Sequence, residues 1–161
     1  MELKDYNACV KQYADNVYRF IVKQLRDKDA ARDVVQDSFE KLWRSIDVVP
    51  VEKAKTWLFT TAYRGMIDYT RKQSRQIRME EQHEDLHTHS SGYSDLKEVL
   101  NEGLSQLPEI QKTVILLRDY EGYDYEEIGN ITGLSESQVK VYIFRARTFL
   151  KNYIGRMEVV I

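Results

Sequence analysis

Apolar residues recur along this chain with a helical period almost from end to end. Val10, Tyr13, Val17, Ile21 and Leu25 fall on one face of a helix running from about Leu3 to Leu25. The polar break RDKDA follows, with Asp29 placed to cap a second helix from about Ala30 to Ile46. Ala31, Val35, Phe39, Leu42 and Ile46 form its inward stripe, and Trp43, at the margin of that stripe, is expected in the core. Pro50 forces the next piece, DVVPV, out of helix. A third helix covers roughly Lys53 to Lys72, with Leu58, Ala62, Met66 and Tyr69 inward.

The period fails from Gln73 to Ser94, in QSRQIRMEEQHEDLHTHSSGYS, which reads as a polar linker whose first turns can extend the third helix. Order resumes near Asp95 with Leu96, Val99, Leu100, Leu104 and Leu107. Pro108 then suits the first residue of another helix carrying Ile110, Val114 and Leu117 inward. With two prolines, seven glycines and no sustained β-branched alternation, the pattern predicts an all-α protein. Its expected organisation is a small helical bundle at residues 1–74, a flexible polar linker at 75–94 and a second helical domain at 95–161.

The end of the chain carries the most specific signal. Asp124 followed by Glu127, and Ser135 followed by Gln138, are two capping boxes eleven residues apart, with TGL just before the second. That spacing predicts a short helix, a glycine turn and a longer helix, which is a helix-turn-helix. Val139, Ile143, Ala146 and Leu150 would face the core. Ser137, Lys140, Val141, Phe144, Arg145 and Thr148 lie opposite. Valine and phenylalanine among cations suit a major groove, where apolar groups meet thymine methyls, Arg bonds guanine and Lys holds phosphate. Packing of Phe144 on its own domain is the competing reading.

Charge sharpens this picture only when counted by segment. The 161 residues are 42% apolar and 31% charged, with net charge −2, which suits packed helical units and excludes a disordered chain. Residues 53–78 nevertheless hold seven cations against Asp68 alone, and residues 137–156 hold five cations and no anion. Residues 79–102 reverse the balance, with seven anions against Lys97. Each basic helix could attract phosphate locally, since distant charge is screened beyond about 10 Å; solvated faces are the bland alternative.

Other chemistries find little support. No glycine-rich phosphate loop, nucleophile elbow or metal-spaced Cys/His set is present, so no catalytic residue, metal or cofactor is expected. Cys9 has no partner for a disulfide and is expected as a buried or neutral thiol. His83 and His87 stand four apart in the linker, with His89 nearby, but polar linkers often contain such residues. Without a long apolar run or a leader, a cytoplasmic protein with no membrane insertion is expected.

The stretch LPEIQKTVILLRDYEGYDYEEIGNITGLSESQVKVYIFRARTFL resembles region 4, the DNA-binding region of bacterial extracytoplasmic-function (ECF) sigma factors. DAARDVVQDSFEKLWRSI resembles the family's region 2 helix that docks on RNA polymerase, and KAKTWLFTTAYRGMIDYTRKQ its promoter-melting helix. Three segments in the expected order cover nearly the whole chain except the linker. The resemblance implies a protein that binds core RNA polymerase, recognises −35 and −10 promoter elements and helps to open DNA.

By that resemblance, Asp33, Gln36, Asp37, Glu40 and Arg44 would grip the clamp helices of the largest polymerase subunit, while the C-terminal domain meets the flap region. The −10 element would be met by Trp57, Thr60, Thr61, Arg64, Asp68 and Arg71, with Asp47, Val48 and Val49 in the loop that catches a flipped base; a Trp57 that plugs the join to the first helix is the competing reading. The −35 element would fall to Ser137, Gln138, Lys140, Val141, Phe144 and Arg145, with Arg147 and Lys151 on the backbone. Arg64 replaces an asparagine common in the family, and Val141 stands where relatives are often polar, so both base preferences are open. An anti-sigma factor, often membrane-anchored, is the further implied partner. The competing reading is a helix-turn-helix regulator with a helical effector or dimerisation domain, which would need neither Trp57 on a basic helix nor the acidic stripe.

Overall fold

The structure, a computed structural model, describes residues 1–80 and 96–160. Its α-helices are α1 (Leu3–Leu25), α2 (Lys28–Arg44), α3 (Ala54–Glu80), α4 (Leu96–Gln106), α5 (Glu109–Ile115), α6 (Tyr125–Thr132) and α7 (Glu136–Val160), with no strand among the described residues. None of these helices is long and apolar enough to cross a membrane. The boundaries differ from expectation where local chemistry intervenes. α1 stops at Arg26 in the left-handed region (φ 58°), and Asp27 rather than Asp29 caps α2, its Oδ1 accepting from the Ala30 amide at 3.1 Å. Asp29 sits in the first turn, where its charge suits the helix dipole. α3 continues to Glu80, past the expected domain boundary at 74, because nothing from Gln73 to Glu80 is a helix breaker.

α1, α2 and α3 pack as a three-helix unit around Val17, Phe20, Ile21, Ala31, Leu42, Leu58, Ala62 and Met66. The Tyr6 hydroxyl donates to the Phe39 carbonyl at 3.0 Å, and the N-terminal ammonium donates to the Ile46 carbonyl at 2.8 Å, tying the start of the chain to the α2–α3 loop. Cys9 is buried there, and burial with Asp5 nearby pushes its thiol up. Trp43 departs from expectation: it is 47% exposed, edge-on to Tyr6 at 5.2 Å, because α2 turns Ala31, Val34, Ser38, Phe39 and Leu42 inward, leaving the expected Val35 half-buried and Trp43 outside.

In the second half α4, α5 and α6 pack on α7 through Leu104, Val114, Leu117, Ile128, Val139, Ile143 and Ala146. Pro108 is the N-cap of α5 rather than its first residue. α5 then widens into a single π-helical turn, Leu116–Tyr120, in which the Glu121 amide bonds to the Leu116 carbonyl at 3.1 Å.

The two halves share one core. Phe59 of α3 is fully buried between Phe20 (5.4 Å) and Tyr123 (5.6 Å), and Tyr123 comes from the loop before α6. Around this aromatic stack, α1 reaches across to the second half. Gln24 accepts from the Thr113 hydroxyl, Arg19 pairs with Glu121 at 2.8 Å and Lys23 donates to Asn101 at 2.9 Å.

Candidate nucleic-acid interface

The helix-turn-helix is built as its caps dictate. The Glu127 amide donates to Asp124 at 2.8 Å and the Asp124 amide to Glu127 at 3.0 Å, closing the first capping box. Gly133 ends α6 at φ 85°, a left-handed cap that suits glycine. Gly129 permits the close turn: a Cβ there would lie 2.8 Å from the Leu134 carbonyl oxygen. The second box starts α7, with the Gln138 amide donating to Ser135 Oγ at 3.1 Å and the Ser135 amide to Gln138 Oε1 at 2.9 Å. Gln138 is therefore half of a cap, and its side-chain oxygen is already engaged.

Val139, Ile143 and Ala146 are buried, which turns Ser137, Lys140, Val141, Phe144, Arg145 and Thr148 to solvent. Phe144 is 71% exposed and Val141 45%, so packing of Phe144 on its own domain does not occur. Between α6 and α7 lies an open groove of about 370 Å³ lined by Tyr125, Lys140, Phe144, Arg147, Thr148 and Lys151. The Tyr125 ring has Arg118 at 4.7 Å and Lys140 at 5.6 Å, so an aromatic sits between two cations beside the helix. Lys140 also reaches Glu136 at 3.8 Å, and Arg147 is paired to Asp119. Sequence reasoning passed over Tyr125, Arg118 and Asp119. The Tyr125 position directly after the Asp124 cap was the available signal.

The basic face of α3 is built on a shared helix. Leu58, Phe59, Ala62 and Met66 are buried, while Arg64, Asp68 and Arg71 are exposed on the other side. Trp57, Thr60 and Thr61 are half-buried between these faces, with Trp57 packed against the core and the Thr60 hydroxyl donating to the Thr56 carbonyl at 2.8 Å. In the loop, Asp47 and Val48 point outward, with Val48 78% exposed, whereas Val49 is buried and anchors the loop. The structure thus brings the loop and α3 onto one unit but keeps Val49 from solvent.

Asp33, Gln36, Asp37, Glu40 and Arg44 all lie exposed along α2. Asp37 pairs with Lys41 at 3.3 Å and Glu40 with Arg44 at 2.5 Å. Asp33, Gln36, Asp37 and Glu40 border an open groove of about 360 Å³ against Gly65 and Tyr69 of α3. An acidic groove between two helices can seat a basic helical ridge. The linker histidines His83, His87 and His89 lie outside the described residues.

A helix-turn-helix with an outward basic and apolar face, joined to a second unit with its own basic helix and an acidic groove, defines a two-module DNA-binding factor of transcription. Comparison with known proteins specifies which. The family models described as "Sigma-70 region 2" and "Sigma-70, region 4" match residues 9–76 and 97–150. RNA polymerase sigma factor SigV of Bacillus subtilis is 34% identical, over 89% of this chain and 87% of its own length. The ECF RNA polymerase sigma-E factor of Haemophilus influenzae is 32% identical, over 94% of this chain and 88% of its own length. Among solved structures, the sigma factor RpoE in complex with the anti-sigma factor NepR from Bartonella quintana matches with a TM-score of 0.80 and 25% identity, covering 95% of this chain and 98% of that one. CnrH in complex with the cytosolic domain of CnrY matches with a TM-score of 0.68 at 20% identity, covering 94% and 88%, a likeness of fold. The chain belongs to the sigma-70 family of RNA polymerase sigma factors, in its ECF class, and is a promoter-recognition factor of transcription initiation.

Proposed function

We propose that residues 95–161 read the −35 element, residues 1–74 bind core polymerase and the −10 element, and residues 75–94 connect them. The observation that carries this assignment is the outward face of α7, where Phe144 and Val141 stand exposed among Lys140 and Arg145. A face of that composition has no packing role in the chain and has the groups a major groove needs. Ser137 and Gln138 open the helix beside the groove, and Lys151 extends the cationic edge toward phosphate.

On the first unit, Arg64 and Arg71 track the phosphates of the melted strand, with Trp57, Thr60, Thr61 and Asp68 beside them. Asp47 and Val48 form the outer wall of the base-catching loop, and Val49 holds it from beneath. The α2–α3 groove, edged by Asp33, Gln36, Asp37 and Glu40, with Arg44 at its end, seats the polymerase clamp helices. The C-terminal domain meets the flap region. The chain carries out no chemistry of its own and works in the cytoplasm, where polymerase and promoter DNA are. Likeness to a sigma factor solved with NepR supports an anti-sigma factor as a further partner.

The test is transcription in vitro. Adding the purified protein to core polymerase on fragmented genomic DNA should yield new start sites that share −35 and −10 elements. Absence of new starts would sink the assignment if the full chain also fails to bind core polymerase while duplex binding is retained.

A further inference from the structure

The ring of Tyr125 gathers the cations that flank the recognition helix. Tyr125 is the first residue of α6, set in place by the capping box that Asp124 and Glu127 close around the helix start. It is half-buried and packs on the core, so its ring holds one position beside α7. Arg118, on the π-helical turn, lies over that ring at 4.7 Å and is itself pinned, its Nη1 donating to the Tyr123 carbonyl at 3.0 Å. The Lys140 ammonium lies over the same ring at 5.6 Å and reaches Glu136 at 3.8 Å. The Tyr125 hydroxyl is within hydrogen-bonding reach of Arg147, which Asp119 already holds.

We propose that Tyr125 is a positioning residue for promoter binding, whose ring draws the Lys140 ammonium toward α6 and dedicates it to the DNA backbone, leaving base edges to Val141 and Arg145. The proposal rests on the reading of residues 95–161 as the −35 module and adds how the contacts of that module are divided. Lys140 lines the groove between α6 and α7 together with Arg147 and Lys151, the two cations assigned to the backbone, whereas the exposed Val141 and Arg145 do not line it. A lysine free on a helix surface samples many rotamers, and ordering it on binding lowers affinity. Here Glu136 on α7 and the aromatic face on α6 order it beforehand. The negative face of the ring also offsets the mutual repulsion of Arg118, Lys140 and Arg147, with Glu136 and Asp119 as counter-charges, and a phosphate in the groove completes that compensation. The start of α6 is closed by its own capping carboxylates, so the anion enters by the groove and not at that helix end.

The test joins a measurement on the free chain to one on promoter DNA. In nuclear magnetic resonance, the ring should shift the Lys140 ε-methylene protons upfield in the wild type and in Tyr125→Phe, and Tyr125→Leu should lose that shift. With the full chain on core polymerase, Tyr125→Leu should weaken binding to a promoter fragment about two- to fivefold, the worth of one exposed cation–π contact. The loss should be equal across single-base variants of the −35 element. Lys140→Ala should also act uniformly and lower the salt slope by about one. Adding Tyr125→Leu to Lys140→Ala should weaken binding no further, because the residue it acts through is gone. Tyr125→Phe should bind as the wild type does. Where Tyr125→Leu loses helicity, Tyr125→pentafluorophenylalanine keeps the ring shape, withdraws its negative face and should show the same loss relative to Tyr125→Phe. No upfield shift in the wild type, additive losses in the double variant, or a Lys140→Ala loss confined to one base position would each overturn the proposal. So would weakened binding by Tyr125→Phe, which would make the hydroxyl a DNA contact of its own. A wild type indifferent to the −35 sequence would sink the reading of residues 95–161, and the ring-current shift, which needs no DNA, tells that failure from this one.

Discussion

The Arg147 guanidinium forks onto the Asp119 carboxylate, Nη2 to Oδ1 at 2.6 Å and Nε to Oδ2 at 3.2 Å. The pair joins the π-helical turn after α5 to the recognition helix, so it sets how Arg147 is presented beside the groove. With the two side chains 48% and 38% exposed, its own worth is at most about 1 kcal/mol. Arg147 is therefore both a brace and a candidate phosphate contact, and the two roles separate experimentally. If it meets phosphate, Arg147→Ala should lower the salt slope of duplex binding by roughly one, and Asp119→Ala should leave the slope unchanged or raise it. Equal losses of thermal stability with no change in either slope would make the pair a brace alone.

Gly129 gives a stability prediction with a stated cause. An alanine Cβ would meet the Leu134 carbonyl at 2.8 Å, and that oxygen belongs to the backbone of the turn. Relief requires shifting α6 against α7. Gly129→Ala should cost about 1–3 kcal/mol in chemical denaturation and weaken duplex binding in step. At Gly133, where φ is 85° and the added Cβ meets nothing, alanine should cost nearer 1 kcal/mol. Equal costs at the two positions would show that contact with Leu134 is not the operative term.

Much of this was legible because caps and periods are local. Asp124 with Glu127 and Ser135 with Gln138 name their helix starts in the sequence, and both boxes form. Val139, Ile143 and Ala146 name the core side of α7 by spacing alone. What escaped was tertiary. Phe59 lies outside the single inward stripe expected for α3 and is buried between Phe20 of α1 and Tyr123 from the other half. The run Lys112–Leu117 is buried at every position, which a one-faced amphipathic reading cannot explain. A short helix buried all round needs neighbours on both sides. For α5 these are α7 and α1, so the run TVILL already held a trace of the interdomain contact. Asp27 and Asp29 are both acceptable caps by type, and the left-handed turn at Arg26 decided between them.

Exposure separates binding from stability on α7. At 71% and 45% exposed, Phe144 and Val141 make little contribution to folding, so Phe144→Ala and Val141→Ala should shift stability by no more than about 0.5 kcal/mol. Arg145→Ala should cost about 1–3 kcal/mol of specific binding if it meets a guanine edge, and relax selectivity at one base position. Competition binding against single-base variants of the −35 element reads both effects. Uniform loss across all variants would reassign Arg145 to the phosphates.

The acidic groove on the first unit makes the opposite prediction, in which DNA is indifferent and polymerase is not. Asp37 and Glu40 are exposed and pair only within α2, with Lys41 and Arg44 among the described residues. Such i,i+4 pairs are worth about 0.3–0.5 kcal/mol, so Asp37→Lys should leave the melting temperature nearly unchanged. Reversal of one charge at a complementary interface should weaken binding to core polymerase about tenfold at low salt. Raising the ionic strength should shrink that difference, because these charges act through solvent. Duplex binding by the helix-turn-helix should not fall, as Asp37 lies on the other unit. Core binding that ignores the reversal would place the clamp contact elsewhere on α2, and loss of duplex binding together with core binding would point to a change in how the two units are held.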